Sequence, residues 1–192
     1  MKALEDKILK EGTVLPGNIL KVGSFLNQQI DASFLMEMGK EIARLYENDG
    51  ITKVLTIEAS GIAIALAAAA QMNVPMLFAK KTQSINQSGE IYTAKVKSYT
   101  HGKVYDIVVP KEYLLPGDRV LIVDDFLAVG NALRGLIKIC EDADATFVGC
   151  VVAIEKGFQH GGDKLREEGY RVDALALVDE MTDDTVTFRH PQ

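Results

Sequence analysis

Apolar residues in this chain fall into short runs divided by polar turns, and the runs have two different periods. Lys2–Lys10 carries Leu4, Ile8 and Leu9 at helical spacing, and Glu11-Gly12 closes the helix. Beyond a loop at Pro16-Gly17-Asn18, the segment Asp31–Asn48 repeats apolar side chains at Phe34, Leu35, Met38, Ile42 and Leu45. That pattern predicts an amphipathic helix with Asp31 or Ser33 as its N-cap. Lys53–Ile57 is a short, wholly apolar-patterned run of the kind a buried strand shows, Ile62–Gln71 an Ala-rich helix, and Asn73–Phe78 a second such strand. A strand–helix–strand unit crosses over right-handed and yields a parallel pair.

Ser84–Glu90 is polar and predicts a mobile loop, followed by alternating strands Ile91–Tyr99 and Lys103–Val109 joined around His101-Gly102. Pro116-Gly117-Asp118 is a turn, Arg119–Val123 a core strand, Asp124–Asn131 a loop and Ala132–Glu141 a helix. Thr146–Ile154 is the next apolar strand. Leu165–Glu168 reads as helical, with late strands at Val172–Val178 and Thr185–Phe188. No repeat, low-complexity tract or linker interrupts the order. It predicts one α/β domain over residues 1–192, an open, mostly parallel sheet flanked by helices, with terminal pieces forming a cap. Ligands of such sheets bind beyond the carboxyl ends of the strands.

Composition narrows the function classes. Hydrophobic residues make up 47% and charged residues 25%, which excludes disorder along the whole length. A formal net charge of -6 removes any general attraction to nucleic acid, so an anionic ligand must be held by local donors. Cys140 and Cys150 form no CxxC and are expected as reduced, buried thiols. The N-terminus carries charges throughout, unlike a signal peptide, and the apolar stretch Ile62–Ala70 is too short to span a bilayer. A cytoplasmic location is expected.

Three strand ends carry the chemistry. In Arg119–Ala132 (RVLIVDDFLAVGNA) a buried strand delivers Asp124 and Asp125, and the small loop Ala128-Val129-Gly130-Asn131-Ala132 leads into a helix. Unpaired N–H groups and the positive dipole at that helix start suit a phosphate monoester, while two ionised carboxylates accept from the 2′ and 3′ hydroxyls of a ribose. Two rival readings stand beside this one: a helix cap with a solvated strand end, and a magnesium-binding pair. At Glu58-Ala59-Ser60-Gly61 the backbone amides and the Ser60 hydroxyl suit a second anion, unless Ser60 merely caps the helix. Lys80-Lys81 either neutralise that anion or form a solvated pair. After the strand ending at Ala153, Lys156 and Phe158 present a donor and a ring, or else a surface lysine and a core phenylalanine. His101, His160 and His190 show no metal-ligand spacing, and no nucleophile–His–acid set appears.

The segment VLIVDDFLAVGNA resembles the phosphoribosyl pyrophosphate (PRPP) signature of the type I phosphoribosyltransferases. The similarity extends over nearly the whole chain and is closest to the xanthine-using branch. The loop departs from the common pattern in having no Thr or Ser, so backbone N–H groups, assisted by Asn131, must make most phosphate bonds. The resemblance implies the type I phosphoribosyltransferase fold, with hood pieces at about 1–30 and 156–192 and a mobile loop and hairpin at about 82–109. It implies transfer of a phosphoribosyl group from PRPP to a purine, xanthine first and guanine or hypoxanthine as alternatives. Magnesium would be carried on PRPP, with no direct protein ligand set, and the protein would be a homodimer. By the same resemblance Asp124 and Asp125 are catalytic, and residues 128–132, Glu58, Ala59, Ser60, Gly61 and Lys81 bind PRPP. Leu20 packs on the base, Asn27 faces its 2-position, Lys156 donates to its 6-carbonyl and Phe158 stacks on the ring. Two other classes remain. A PRPP-sensing regulator would need a basic DNA-binding domain, for which this acidic chain has no room, and the Asp-Asp pair could serve a metal-dependent hydrolase.

Overall fold

The computed structural model describes residues 1–82, 89–97, 104–182 and 185–190. Helix α1 (Lys2–Glu11) leads into a two-stranded antiparallel ribbon, β1 (Thr13–Leu15) and β2 (Ile19–Lys21), and then a π-helical turn at Gly23–Asn27. The sequence reading saw only a loop there, because three-residue strands are too short to display a period. Helix α2 (Ala32–Leu45) starts at Asp31, whose carboxylate accepts from Phe34 N at 3.1 Å.

The main sheet holds β3 (Lys53–Ile57), β4 (Met76–Thr82), β5 (Ile91–Lys97), β6 (Val104–Pro110), β7 (Arg119–Leu127), β8 (Thr146–Lys156), β9 (Val172–Met181) and β10 (Val186–Phe188). Between them run α3 (Gly61–Met72), α4 (Asn131–Asp142) and α5 (Gly161–Glu167). Strand order is β10-β9-β8-β7-β3-β4-β6-β5. The five strands from β9 to β4 are parallel, while β10, β6 and β5 add antiparallel edges. From β3 the chain crosses to β4 on one side, and from β7 it crosses to β8 on the other. The order therefore reverses between β3 and β7, which places a crevice at their carboxyl ends.

Two buried clusters cover the two faces. One joins α1, α2 and α3 with Leu20, Val22, Phe25 and Leu26, so the N-terminal segment is continuous with the core. The other packs α4 and the β5–β6 hairpin on the opposite face and includes Cys140 and Cys150, both free and buried. Among the described residues no helix is long and apolar enough to cross a membrane.

Several expected boundaries moved. Strand β7 does not stop at Val123 but continues through Asp124 and Asp125 to Leu127, because the eleven-residue β8 supplies partners as far as Leu127↔Glu155. Strand β4 begins at Met76, since Asn73 in a left-handed conformation (φ 54°) closes α3, and it runs through Lys80-Lys81 by pairing with β6. Helix α5 starts four residues earlier than expected, at Gly161, where two glycines hide the helical pattern. The junction at His101-Gly102 and most of the loop expected at Ser84–Glu90 lie outside the described residues.

Because β3 sits mid-sheet with Leu55 wholly buried, Leu55→Ala is expected to destabilise the fold by about 2–5 kcal/mol in urea titrations.

Candidate active site

The crevice between β3 and β7 gathers the acids, the two loops and the hairpin. Successive side chains of a strand project to opposite sides, yet the two carboxyl groups stay close enough to interact, and Asp125 N–H donates to Asp124 Oδ1 at 3.0 Å. Asp124 lines a cavity of about 140 Å³ together with all five residues of the loop 128–132. Asp125, 8% exposed, turns instead to the N-terminal segment and accepts from Asn27 Nδ2 at 3.1 Å. This rules out a helix cap by Asp125: it lies within β7, and the residue before α4 is Gly130, with φ 88°.

Glu58-Ala59-Ser60-Gly61 lies beside Asp124. The Glu58–Ala59 peptide is cis, and Glu58 Oε1 accepts from Lys81 N at 2.6 Å. Ser60 already has helical angles and makes no capping bond, so the N–H groups that open α3 are left without a side-chain cap. Gly61 permits a very close approach, since a β-carbon there would overlap both Thr56 Oγ1 and Asp124 Oδ1. The Thr56 hydroxyl is buried without a hydrogen-bond partner. Lys81 is exposed and lies 5.5 Å over the Tyr105 ring; Lys80 lies 5.9 Å over Phe78.

Burial, and after it the neighbouring Asp125 charge, holds the Asp124 carboxyl well above the usual carboxylate range, while Asp125 N–H and Lys81 oppose the shift. Burial and Asp124 likewise raise Tyr105. The hairpin closes one side of the cavity through Val96, Lys97 and Tyr105, and Asn131 Nδ2 donates to Lys97 O at 2.9 Å. The hairpin residues fall in the segment of about 82–109 that the resemblance sets over the substrates, whereas Phe126 carried no site signal in the sequence. Phe126 follows the acids directly, and Lys156 Nζ lies 5.6 Å over its ring.

At the other end Lys156 closes β8 half-buried, donates to Asn18 O at 2.9 Å and has its proton affinity lowered by burial. Phe158 is half-buried against the core and Leu20 is 6% exposed within it. Behind the loop 128–132 stands α5. A β-carbon at Gly161 would overlap Ala128 O, so the helix rests on the loop backbone. It is latched there by Arg166, which meets both oxygens of the fully buried Glu155 at 2.9 and 2.5 Å. The sequence offered no hint of this pair, because its two members lie in different elements.

Residues 27–181 match the phosphoribosyl transferase domain family. The chain belongs to the phosphoribosyltransferase family. This phosphoribosyltransferase is 53% identical over 191 residues to a xanthine phosphoribosyltransferase of Lachnoclostridium phytofermentans, covering 98% of each chain. It is 54% identical over 193 residues to one of Bifidobacterium longum, covering 99% of this chain and 100% of the other. Among solved structures, adenine phosphoribosyltransferase of Leishmania donovani superposes with a TM-score of 0.76 at 19% identity, over 95% of this chain and 83% of that one. The enzyme of Rhodothermus marinus gives 0.74 at 20% identity, over 92% and 99%. The type I fold is thus shared where the sequence has largely diverged.

A carboxyl raised on folding keeps a proton that the unfolded chain has released, so stability falls as pH rises between the two values. Asp124→Asn is therefore expected to raise the unfolding temperature of the substrate-free phosphoribosyltransferase above neutral pH. The gain should fade toward about pH 4, the ordinary carboxylate value. Thermal melts across that range measure it.

Proposed function

We propose that this chain transfers the 5-phosphoribosyl group of PRPP to xanthine, giving xanthosine 5′-monophosphate (XMP) and pyrophosphate. The observation that carries this reading is the pair of adjacent acids at one strand end, Asp124 lining the loop cavity and Asp125 bonded to Asn27 of the N-terminal segment. A sugar phosphate seated in the loop has its ribose at the acids and its reacting carbon directed toward the N-terminal segment. Full-length similarity to xanthine phosphoribosyltransferases supports the choice of base.

In this reading the backbone N–H groups of Ala128, Val129, Gly130, Asn131 and Ala132 hold the 5-phosphate, helped by the α4 dipole. Asp124 and Asp125 accept from the ribose hydroxyls. Amides of Glu58, Ala59, Ser60 and Gly61, with the exposed Lys81, hold the pyrophosphate and stabilise charge as it leaves. The C1′–O bond breaks early, an oxocarbenium-like centre forms, and a purine nitrogen attacks from the opposite face. Lys156 donates to the 6-carbonyl, Asn27 to the 2-carbonyl, Leu20 packs on the ring and Phe158 stacks on it. The base-covering pieces are about 1–30 and 156–192, and the segment of about 82–109 closes over the substrates to exclude water that would capture the sugar cation.

Among the described residues no three His, Cys, Asp or Glu side chains gather into a metal cluster. Magnesium suits such a site, since it keeps most of its waters and binds through substrate phosphates, so PRPP can carry it without a direct ligand set from this chain. Carried on PRPP, the ion would offset charge on the leaving pyrophosphate. The same reading makes the enzyme cytoplasmic and, by its resemblance to the family, a homodimer.

A panel of bases with PRPP and magnesium, followed by pyrophosphate release, tests the reaction. Xanthine should lead, guanine and hypoxanthine should trail, and adenine, which carries an amino group at the 6-position, should give almost nothing. Equal product from xanthine and adenine would remove Lys156 and Asn27 from the base site. Release of pyrophosphate without any base would point to a hydrolase. Asp125→Ala should slow turnover sharply with the fold intact by circular dichroism.

A further inference from the structure

Helix α5 has seven residues, too few to be stable alone, so its place depends on the contacts that tie it down. Two bidentate ion pairs do so from opposite sides. On the side of β8, Arg166 meets both oxygens of Glu155 and donates through Nε to Val172 O at 3.0 Å. On the side of α4, Arg134 meets both oxygens of Glu168, which caps α5, at 2.5 and 2.7 Å. The two pairs are unequal. Arg134 and Glu168 are solvent-exposed, where such a pair contributes little. Glu155 is fully buried, and a buried carboxylate deprived of its partner is strongly destabilising. Gly162 makes room for this pair, since a β-carbon there would overlap Glu155 Oε1. Glu155 also stands opposite Leu127, the last residue of β7, so the inner latch is anchored at the root of the loop 128–132.

Against the back of that loop α5 sets backbone and one apolar side chain. A β-carbon at Gly161 would overlap Ala128 O, and one at Gly130 would lie 3.1 Å from Leu165 Cδ1. The loop carries no hydroxyl, and the amide of Asn131 is already committed to Lys97 O. An anion in the loop is therefore met by backbone N–H groups, whose directions follow from the shape of the backbone alone. We propose that Glu155 and Arg166 are positioning residues for the 5-phosphate: by holding α5 against the loop they keep its N–H groups convergent. This rests on the proposed reaction and deepens it. Neither residue lines the loop cavity, so each acts through the helix.

Arg166→Lys keeps the charge but loses the planar fork that meets both Glu155 oxygens. Gly161→Ala leaves the ion pair intact and pushes α5 off the loop. Each variant is assayed for inhibition by ribose 5-phosphate and by pyrophosphate, both in competition with PRPP. The first probe reports on the loop 128–132 and the second on Glu58–Gly61, so a general loss of structure would weaken both. The Ki for ribose 5-phosphate and the KM for PRPP should rise roughly tenfold or more in each variant. The Ki for pyrophosphate should stay within about twofold, as for a distant, independent site. An unchanged Ki for ribose 5-phosphate in Arg166→Lys, or an equal rise for both probes, overturns the proposal. Should Arg166→Lys fail to fold, the same two outcomes in Gly161→Ala decide it. Wild-type enzyme that fails to turn over xanthine with PRPP would instead overturn the reaction itself.

Discussion

Parallel pairing of β3 with β7 is the constraint on which the site depends. The crossovers leave these neighbours in opposite directions, so no connection covers their carboxyl ends. Both strands are buried, and their ends are consequently held by the interior of the sheet rather than by loops. The cleft needs no large lid domain to exist. What it needs is close approach, and Gly61 provides it by letting the start of α3 touch Thr56 and Asp124.

That closeness carries an electrostatic cost which the fold leaves standing. Asp124 is pushed toward its neutral form by burial and by Asp125, and Thr56 keeps an unpaired hydroxyl beside it. A core selected for stability alone would have replaced both. Their presence at the one point where the strand order reverses is the pattern expected of a binding site that receives its missing partners from a ligand.

Much of this was legible before the structure. The hydrophobic runs located the buried strands and the principal helices, and RVLIVDDFLAVGNA announced a strand feeding a phosphate-sized loop and a helix. The sequence could not show that β7 extends past its acids, because that depends on the length of β8, a partner distant in the chain. The ribbon β1–β2 escaped notice because its strands are too short, and the start of α5 was hidden by paired glycines. The side-chain bonds of Asn27 to Asp125 and of Glu155 to Arg166 span 98 and 11 residues and each join two different elements. Patterning predicts which face of an element is apolar and says nothing about which polar tip it meets.

The contact of Gly161 with the Ala128 carbonyl bears on how much of the chain a minimal phosphate-gripping fragment would require. The strand, acids, loop and first helix of the signature end by Asp142, yet the surface against which the loop rests arrives some twenty residues later, tied down by a buried carboxylate on β8. A peptide cut after α4 would retain every residue of the recognisable motif and still lack the wall that gives the loop its shape. In the proposed reading the motif marks where the sugar phosphate sits, and the wall behind it comes from the C-terminal third.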